Sequence, residues 1–139
     1  YKNQGLTLVN VLNKLYQEFG YYKNVLKSFT FKGISGFEKM QSIMKQLREN
    51  QPTSLNGKNI LCFCDYLNRI KIFNNCSKET INLPASDVLK FELADNVSVV
   101  IRPSGTEPKL KVYISVAANT KEKSDELAIS FCKYFENLF

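Results

Sequence analysis

The most constraining feature of this sequence is a regular alternation that runs from Lys109 to Val116. Apolar residues alternate there with polar or amphipathic ones, in the order Lys-Leu-Lys-Val-Tyr-Ile-Ser-Val. Successive side chains of a strand point to opposite faces, so one face of this strand is buried and the other carries Lys109 and Lys111. The alternation therefore predicts a strand with one buried face and one polar face that holds the two lysines.

Three segments have apolar residues at helical spacing. The first runs from 7 to 19. The second begins at a capping box that Ser35 forms with Glu38. The third follows Asn119 or Thr120, either of which is a suitable N-cap. Its expected buried stripe consists of Leu127, Phe131, Phe135 and Leu138.

Strand patterns surround the second helix. Asp95 and Asn96 supply turn residues that join two of the strands as a hairpin. A further short strand at 69–73 is one interpretation of that stretch, and a loop is the other, while residues 21–23 are interpreted as a linker. The predicted order is one helix and then β-α-β-β-β-β-α, which is an α+β fold class. The predicted strands are 28–32, 59–64, 88–93, 97–101 and the segment after Pro108.

Composition excludes several classes of function. The chain has 19 Lys and Arg against 13 Asp and Glu, and the net charge of +6 favours an anionic partner such as a phosphorylated metabolite, a nucleic acid or an acidic protein face. It has no histidine, which rules out Ser/His/Asp and Cys/His nucleophiles. Its cysteines, Cys62, Cys64, Cys76 and Cys132, form no CxxC pair, so buried free thiols are favoured over a zinc site.

The ends of the chain and its hydropathy set the expected location. No apolar run reaches the roughly 18 to 20 residues of a membrane span, and no secretory leader opens the sequence. We therefore expect a cytoplasmic protein with no membrane partner. The first residue is Tyr1 rather than Met, and a helical pattern follows almost at once, which indicates a piece of a longer polypeptide.

The segment richest in chemistry is the polar loop between two predicted strands, Arg102 to Lys111. A phosphate dianion needs donors that converge from several directions, and this loop offers a guanidinium, two hydroxyls and backbone amides beside Gly105. Two prolines limit the freedom of the loop before binding. Lys109 and Lys111 lie on one strand face, and we favour Lys111 as a point charge toward the same anion. Glu107 opposes an anion, so we expect it to orient the loop or to contact a sugar hydroxyl, and Lys109 is a further candidate for these roles.

Other interpretations of the same residues stay open. Ser, Gly, Thr and Pro are ordinary turn residues, so the loop could be a solvent-exposed hairpin connection. A basic domain with an open sheet could bind a nucleic-acid backbone, although the Lys/Arg-Gly-Phe/Tyr signature of RNA-recognition domains is absent. A protein-interaction module would need an exposed apolar patch away from the loop, which the helix 7–19 could provide.

The string Arg-Pro-Ser-Gly-Thr-Glu-Pro-Lys, residues 102–109, resembles the phosphate-binding loop of the α-D-phosphohexomutases. The similarity is to the phosphoglucomutase and phosphopentomutase branch, and it covers the whole chain. Residues 1–23 resemble the helix that ends the third domain of those enzymes, followed by a linker. Residues 24–139 resemble the fourth domain, which implies a β-α-β(4)-α fold related to the TATA-binding protein, with an antiparallel sheet and helices on one face.

The resemblance also implies a function and a site. It implies that the intact protein is an isomerase of carbohydrate metabolism, an intramolecular phosphotransferase that moves a phosphoryl group between two hydroxyls of a sugar. The fourth domain would hold the phosphate that is not transferred. The residues implied as phosphate contacts are Arg102, Ser104, Gly105, Thr106 and Lys111, where Lys111 replaces the arginine of many relatives and so keeps the charge without the planar fork.

The family's catalytic motifs are missing from this sequence. It has no counterpart of the phosphorylated-serine loop, of the aspartate-rich magnesium loop or of the sugar-reading Gly-Glu-Glu-Ser-Gly motif. The resemblance therefore implies that no catalytic or metal-binding residue lies in this chain and that it is inactive alone. The implied partners are a phosphosugar and the other three domains, with Mg²⁺ and a sugar bisphosphate activator used by the intact enzyme. Glucose, mannose and pentose phosphates all stay open as substrates.

Overall fold

The alternating segments become strands of one antiparallel sheet in a computed structural model, which describes residue 5 and residues 7–139. Residues 1–4 and 6, which belong to the predicted segment 1–23, lie outside the described residues. The elements, in chain order, are α1 (Leu8–Phe19), β1 (Tyr21–Thr30), α2 (Gly33–Glu49), β2 (Ser54–Leu55), β3 (Lys58–Asp65), β4 (Ile70–Phe73), β5 (Lys78–Thr80), β6 (Leu89–Leu93), β7 (Val97–Pro103), β8 (Lys109–Ala118) and α3 (Lys121–Leu138).

The sheet has the strand order β1-β8-β7-β6-β3-β4-β5, with β2 paired to β3 alone. Every pair is antiparallel. The four strands predicted after the second helix are β3, β6, β7 and β8, and the short strand proposed at 69–73 is β4. The α+β fold class is therefore confirmed, whereas β2 and β5 are additions that sequence periodicity did not predict.

One face of the sheet carries the core. Met40 and Met44 of α2 and Phe131 and Phe135 of α3 are almost completely buried there, against Phe91 and the apolar positions of the strands. Both helices therefore cover the same face, as predicted. The opposite face keeps the polar positions of β8. The β8 side chains that belong to the core are Leu110, Val112, Ile114 and Val116.

The first strand is longer than its sequence pattern suggested. It begins at Tyr21 and pairs with β8 from Ala118 onward, so residues 21–23 are strand rather than linker. The reason lies at Gly20, whose φ of 88° ends α1 and sends the chain directly into the sheet. The assignment of residues 1–23 to a preceding domain stays a prediction.

The capping box predicted at Ser35 is wrong. Helix α2 begins at Gly33 with Lys32 as an N-cap that makes no side-chain capping bond, so Ser35 lies within the first turn. The physical cause is a close approach between Gly36 and the end of the preceding segment. A Cβ at Gly36 would lie 2.6 Å from the carbonyl carbon of Phe31. The helix can start this early because the glycine lets its backbone pack against Phe31.

This contact predicts that Gly36→Ala destabilises the fold. Alanine in place of a helical glycine ordinarily stabilises by about 0.5–1 kcal/mol, but here the methyl group would displace backbone atoms. We expect a net loss of about 1–3 kcal/mol in the free energy of unfolding, measured by urea denaturation. Ser35→Ala, at an exposed neighbouring position, is the control and should change stability by less than about 0.5 kcal/mol. A stabilised Gly36→Ala variant would contradict the close approach.

The last helix keeps its predicted cap and most of its predicted stripe. Thr120 is the N-cap, and its hydroxyl accepts a hydrogen bond from the Lys123 amide at 3.3 Å. Leu138 is wrong as a core residue because it is exposed near the helix end, and Leu127 is only half-buried. The buried residues of α3 are Ser124, Ala128, Phe131 and Phe135. In the described part of the chain, no helix combines the length and the apolar character that a membrane crossing requires.

Candidate anion-binding site

The polar loop lies at one end of the sheet, held by two inner strands. Strands β7 and β8 form a hairpin that the loop Ser104–Pro108 closes, and Arg102 pairs directly with Lys111 across it. Both strands have a further neighbour, β6 on one side and β1 on the other. The residues at the base of the loop are therefore fixed by a four-strand network of backbone hydrogen bonds.

Arg102 and Lys111 lie opposite each other on the face away from the helices. Their neighbours Ile101 and Val112 are fully buried on the helix face, which places the two cations on the open face. Within residues 5 and 7–139, neither cation lies within 4.0 Å of a carboxylate. Like charges directly opposite on adjacent strands are unfavourable. An anion between them would remove that repulsion.

The guanidinium of Arg102 also contacts an aromatic ring. Its Cζ lies 5.6 Å from the ring centroid of Tyr113, which is two residues beyond Lys111 on the same strand face. This separation is within the range of a cation–π interaction. The sequence does not predict this contact, because the diagonal between Arg102 and Tyr113 follows from the pairing register, which the sequence pattern leaves open.

Three backbone hydrogen bonds restrain the loop. The Ser104 amide donates to the Lys109 carbonyl at 2.7 Å, and the Lys109 amide donates to the Glu107 carbonyl at 2.7 Å. The Pro108 carbonyl accepts from the Phe31 amide at 2.8 Å, which ties the loop to the segment after β1. These bonds fix the loop without any ligand.

Glu107 of the loop and Lys109 at the start of β8 form an ion pair. Lys109 Nζ lies 2.9 Å from Glu107 Oε2, so this ammonium already has a carboxylate partner. The contact holds the Glu107 side chain against Lys109, the first residue of β8. Lys111, in contrast, has no carboxylate partner within 4.0 Å among the described residues.

The tip of the loop presents donors to solvent. Among the described residues, the amides of Gly105 and Thr106 and the hydroxyls of Ser104 and Thr106 have no protein acceptor. Gly105 lies outside the left-handed region, and a Cβ built there would meet no atom within 4 Å. The conformation itself therefore does not require a glycine. The space in front of Gly105 is open to a ligand that approaches the backbone.

The loop lies within a segment of the chain that matches a known protein family. Residues 69–129 match the family profile described as "Phosphoglucomutase/phosphomannomutase, C-terminal domain". The matched segment includes the loop and the whole of β7 and β8. The chain contains a phosphoglucomutase/phosphomannomutase C-terminal domain. The resemblance seen in the sequence is confirmed at this level.

Relatives of this C-terminal domain are proteins named phosphoglucomutase. One from Staphylococcus saprophyticus is 33% identical over 144 aligned residues, which cover 99% of this chain and 25% of the relative. One from Staphylococcus aureus is 35% identical over 116 aligned residues, which cover 83% of this chain and 21% of the relative. The chain thus spans about a fifth to a quarter of the length of these relatives.

A solved structure is also similar to this C-terminal domain. It is the open form of the exocytosis-sensitive phosphoprotein pp63/parafusin, a phosphoglucomutase from Paramecium, with a TM-score of 0.49 and 16% identity. The similarity covers 86% of this chain and 20% of that protein.

Elsewhere in the C-terminal domain, the cysteines and acidic residues form no metal centre within the described part of the chain. No three of its Cys, Asp or Glu side chains are close enough to hold an ion. Cys62 and Cys64 share one strand face, with their sulfurs 3.9 Å apart, and both are buried. Burial raises the pKa of the Cys62 thiol to about 12, which keeps it protonated at neutral pH. Because no such cluster of carboxylates is present among the described residues, they do not fit Mg²⁺, which needs oxygen ligands, and no step through a metal follows from them.

Proposed function

We propose that this domain binds the non-transferred phosphate of a phosphosugar at the loop end of the β7–β8 hairpin. The observation that carries the proposal is the pair of cations, Arg102 and Lys111, directly opposite each other without a carboxylate within 4.0 Å among the described residues. An arrangement that is unfavourable alone becomes favourable when a dianion lies between the two charges. The loop Ser104–Pro108, which joins the two strands beyond this pair, adds neutral donors at the same end of the hairpin.

Each contact has a distinct chemical part in this proposal. The fork of Arg102 would bind two phosphate oxygens at once, and Lys111 would act as a point charge. The hydroxyls of Ser104 and Thr106, with the amide of Gly105, would donate to the remaining lone pairs. Since Lys109 already holds Glu107, these two would position the loop, and Glu107 would be the nearest acceptor for a sugar hydroxyl.

We further propose that the full-length protein is a phosphoglucomutase-type isomerase that interconverts glucose 1-phosphate and glucose 6-phosphate. The names of the relatives support this, and their greater length supports the remaining domains as partners in the same polypeptide. This chain would contribute position and charge complementarity, while the nucleophile and any Mg²⁺ would come from the other domains. Mannose and pentose phosphates are the alternative substrates. A cytoplasmic setting stays a prediction of the sequence.

A phosphate titration of the 139-residue chain tests the binding proposal. Backbone amide signals of Ser104, Gly105 and Thr106 should shift in a saturable way as inorganic phosphate is added. Those of Asp95 and Asn96, at the turn that joins β6 to β7, serve as the internal reference and should stay in place. A titration with a chloride salt to the same ionic strength is the control. Shifts that are absent, or that chloride reproduces, would contradict the site.

Lys111 gives a second test, because its arginine counterpart is common in the resembled family. Lys111→Ala should weaken phosphate binding about three- to tenfold, since one charge-assisted contact disappears. Lys111→Arg should bind at least as tightly as the original chain, because the charge is kept and a planar fork is added. The titration above measures both variants. Equal affinities for Lys111→Ala and the original chain would exclude Lys111 from the site.

Turnover by the full-length polypeptide separates the substrate alternatives. The proposal predicts conversion of glucose 1-phosphate with a higher kcat/KM than of mannose 1-phosphate or ribose 1-phosphate. A preference for either of the other sugars would select the corresponding alternative. Filter binding with RNA and DNA at two salt concentrations tests the other class, because a nucleic-acid module would bind tightly and with steep salt dependence.

A further inference from the structure

The open face of the sheet places an aromatic ring beside the proposed phosphate site. Tyr113 is half-buried on β8, and the guanidinium of Arg102 stands over it with Cζ 5.6 Å from the ring centroid. Neither the match to the C-terminal domain family nor the loop motif assigns a part to this tyrosine. We propose that Tyr113 is a positioning residue that holds the Arg102 guanidinium ready for phosphate.

The register explains how the ring reaches the guanidinium. Arg102 is opposite Lys111, and Val100 is opposite Tyr113, so Tyr113 is the diagonal neighbour of Arg102 on the same face. Diagonal neighbours are within reach of aromatic and long side chains. The contact therefore follows from the hairpin, whose strands are both flanked by others and hold the two Cα atoms in place.

The contact restrains the Arg102 side chain against the repulsion of a neighbouring charge. Arg102 is exposed, and a long exposed side chain samples many rotamers unless something restricts it. Repulsion from Lys111 directly opposite would push the guanidinium away from the site. Attraction to the face of the Tyr113 ring opposes that displacement and keeps the guanidinium over β8. The ring thus lowers the ordering cost that phosphate binding would otherwise include.

The chemistry selects the ring face rather than the hydroxyl. The guanidinium is attracted by the π system, and within the described residues the Tyr113 hydroxyl has no hydrogen-bond partner. Tyr113→Phe should therefore preserve the effect, whereas Tyr113→Leu keeps an apolar side chain but removes the ring. This pair separates positioning of Arg102 from simple packing on the sheet.

The test uses the 139-residue chain with inorganic phosphate as the probe. The Tyr113→Leu variant should bind phosphate about two- to fivefold more weakly, and Tyr113→Phe should stay within about twofold of the original chain. Before phosphate is added, the Arg102 side-chain protons should lose their ring-current shift in Tyr113→Leu and keep it in Tyr113→Phe. The Ser104 amide signal, which reports the bond to Lys109, should stay unchanged in both variants.

This inference rests on the proposed phosphate site, and the outcomes keep the two apart. If the original chain binds phosphate but Tyr113→Leu binds equally well, or if the Phe variant is as weak as the Leu variant, the inference is overturned and the site stands. If the original chain does not bind phosphate at the loop, both are overturned. Affinity that falls only in Tyr113→Leu, together with the lost ring-current shift, supports both.

Discussion

Arg102→Ala should weaken phosphate binding by the 139-residue chain by about 30- to 140-fold. Hydrogen bonds to a charged group contribute about 1.5–3 kcal/mol each, and a bidentate guanidinium makes two of them. Because Arg102 is exposed and solvent weakens both bonds, we expect a combined loss of about 2–3 kcal/mol rather than the full sum. The side chain is exposed and contacts Tyr113 rather than an internal carboxylate. Removing it therefore leaves no buried charge behind and should barely affect stability. Calorimetric titration with phosphate measures the loss.

Two control variants separate the effect of the Arg102 fork from the effect of net charge. Arg102→Lys keeps the charge without the planar fork, so its affinity should lie between those of the original chain and Arg102→Ala. Lys45→Ala removes one positive charge on α2, where the Lys45 side chain is 72% exposed, and should leave phosphate affinity unchanged. If Arg102→Ala and Lys45→Ala have the same small effect, phosphate responds only to net charge and the loop is not a site.

Arg48→Ala should cost about 3 kcal/mol in the free energy of unfolding. The Nε of Arg48 lies 3.1 Å from one oxygen of Asp65, and its Nη2 lies 2.6 Å from Asp87. Asp65 is only 2% exposed, so loss of the guanidinium leaves a buried carboxylate without its cation. Burial alone would lower the pKa of Arg48, but its hydrogen bonds to Asp87 and Asp65, together with their charges, raise the pKa above the ordinary value.

The location of this network explains why the effect should be large. It joins the last turn of α2 to the end of β3 and to Asp87 before β6, three segments that are distant in sequence. Asp65 keeps the Leu67 amide as a donor, at 3.1 Å, which limits the loss. Lys45→Ala, whose ion pair with Glu49 is long and exposed, should change stability by less than about 0.5 kcal/mol. Urea unfolding in which the two variants match would refute the network's contribution.

The sequence predicted those parts of the fold that depend on local pattern. The alternation at 109–116 determined which face of β8 is buried, and Asp95 and Asn96, both with positive φ, form the turn expected between β6 and β7. The N-cap at Thr120 was also readable, since its side chain bonds the amide three residues later. These features depend on residues that are neighbours in the sequence.

Features that depend on contacts between residues far apart in the sequence could not be predicted from local pattern. The start of α2 is set by the approach of Gly36 to Phe31, which overrides the cap chemistry available at Ser35. The ion pair between Arg48 and Asp65 joins two separate elements, and nothing in either local pattern marks them as partners. The length of β1 depends on pairing with β8, which the sequence around residues 21–23 does not show.

The candidate site likewise combines features that the local sequence predicts with features that depend on strand pairing. The loop motif groups Arg102, Ser104, Gly105, Thr106 and Lys111 on the strength of the sequence alone. The strand register adds that Arg102 and Lys111 are direct neighbours, and it reveals Tyr113 as the third member of that cluster. The pairing of Lys109 with Glu107 distinguishes the two lysines, which the sequence could do only by preference.

A crystal structure of the 139-residue chain with glucose 6-phosphate should show the phosphate bound at the loop end of the β7–β8 hairpin. We expect its density within hydrogen-bond distance of the Arg102 guanidinium, the Lys111 ammonium and the Gly105 amide. Density for the phosphate at another surface, with the Arg102 guanidinium pointing away from the loop, would rule out the proposed site.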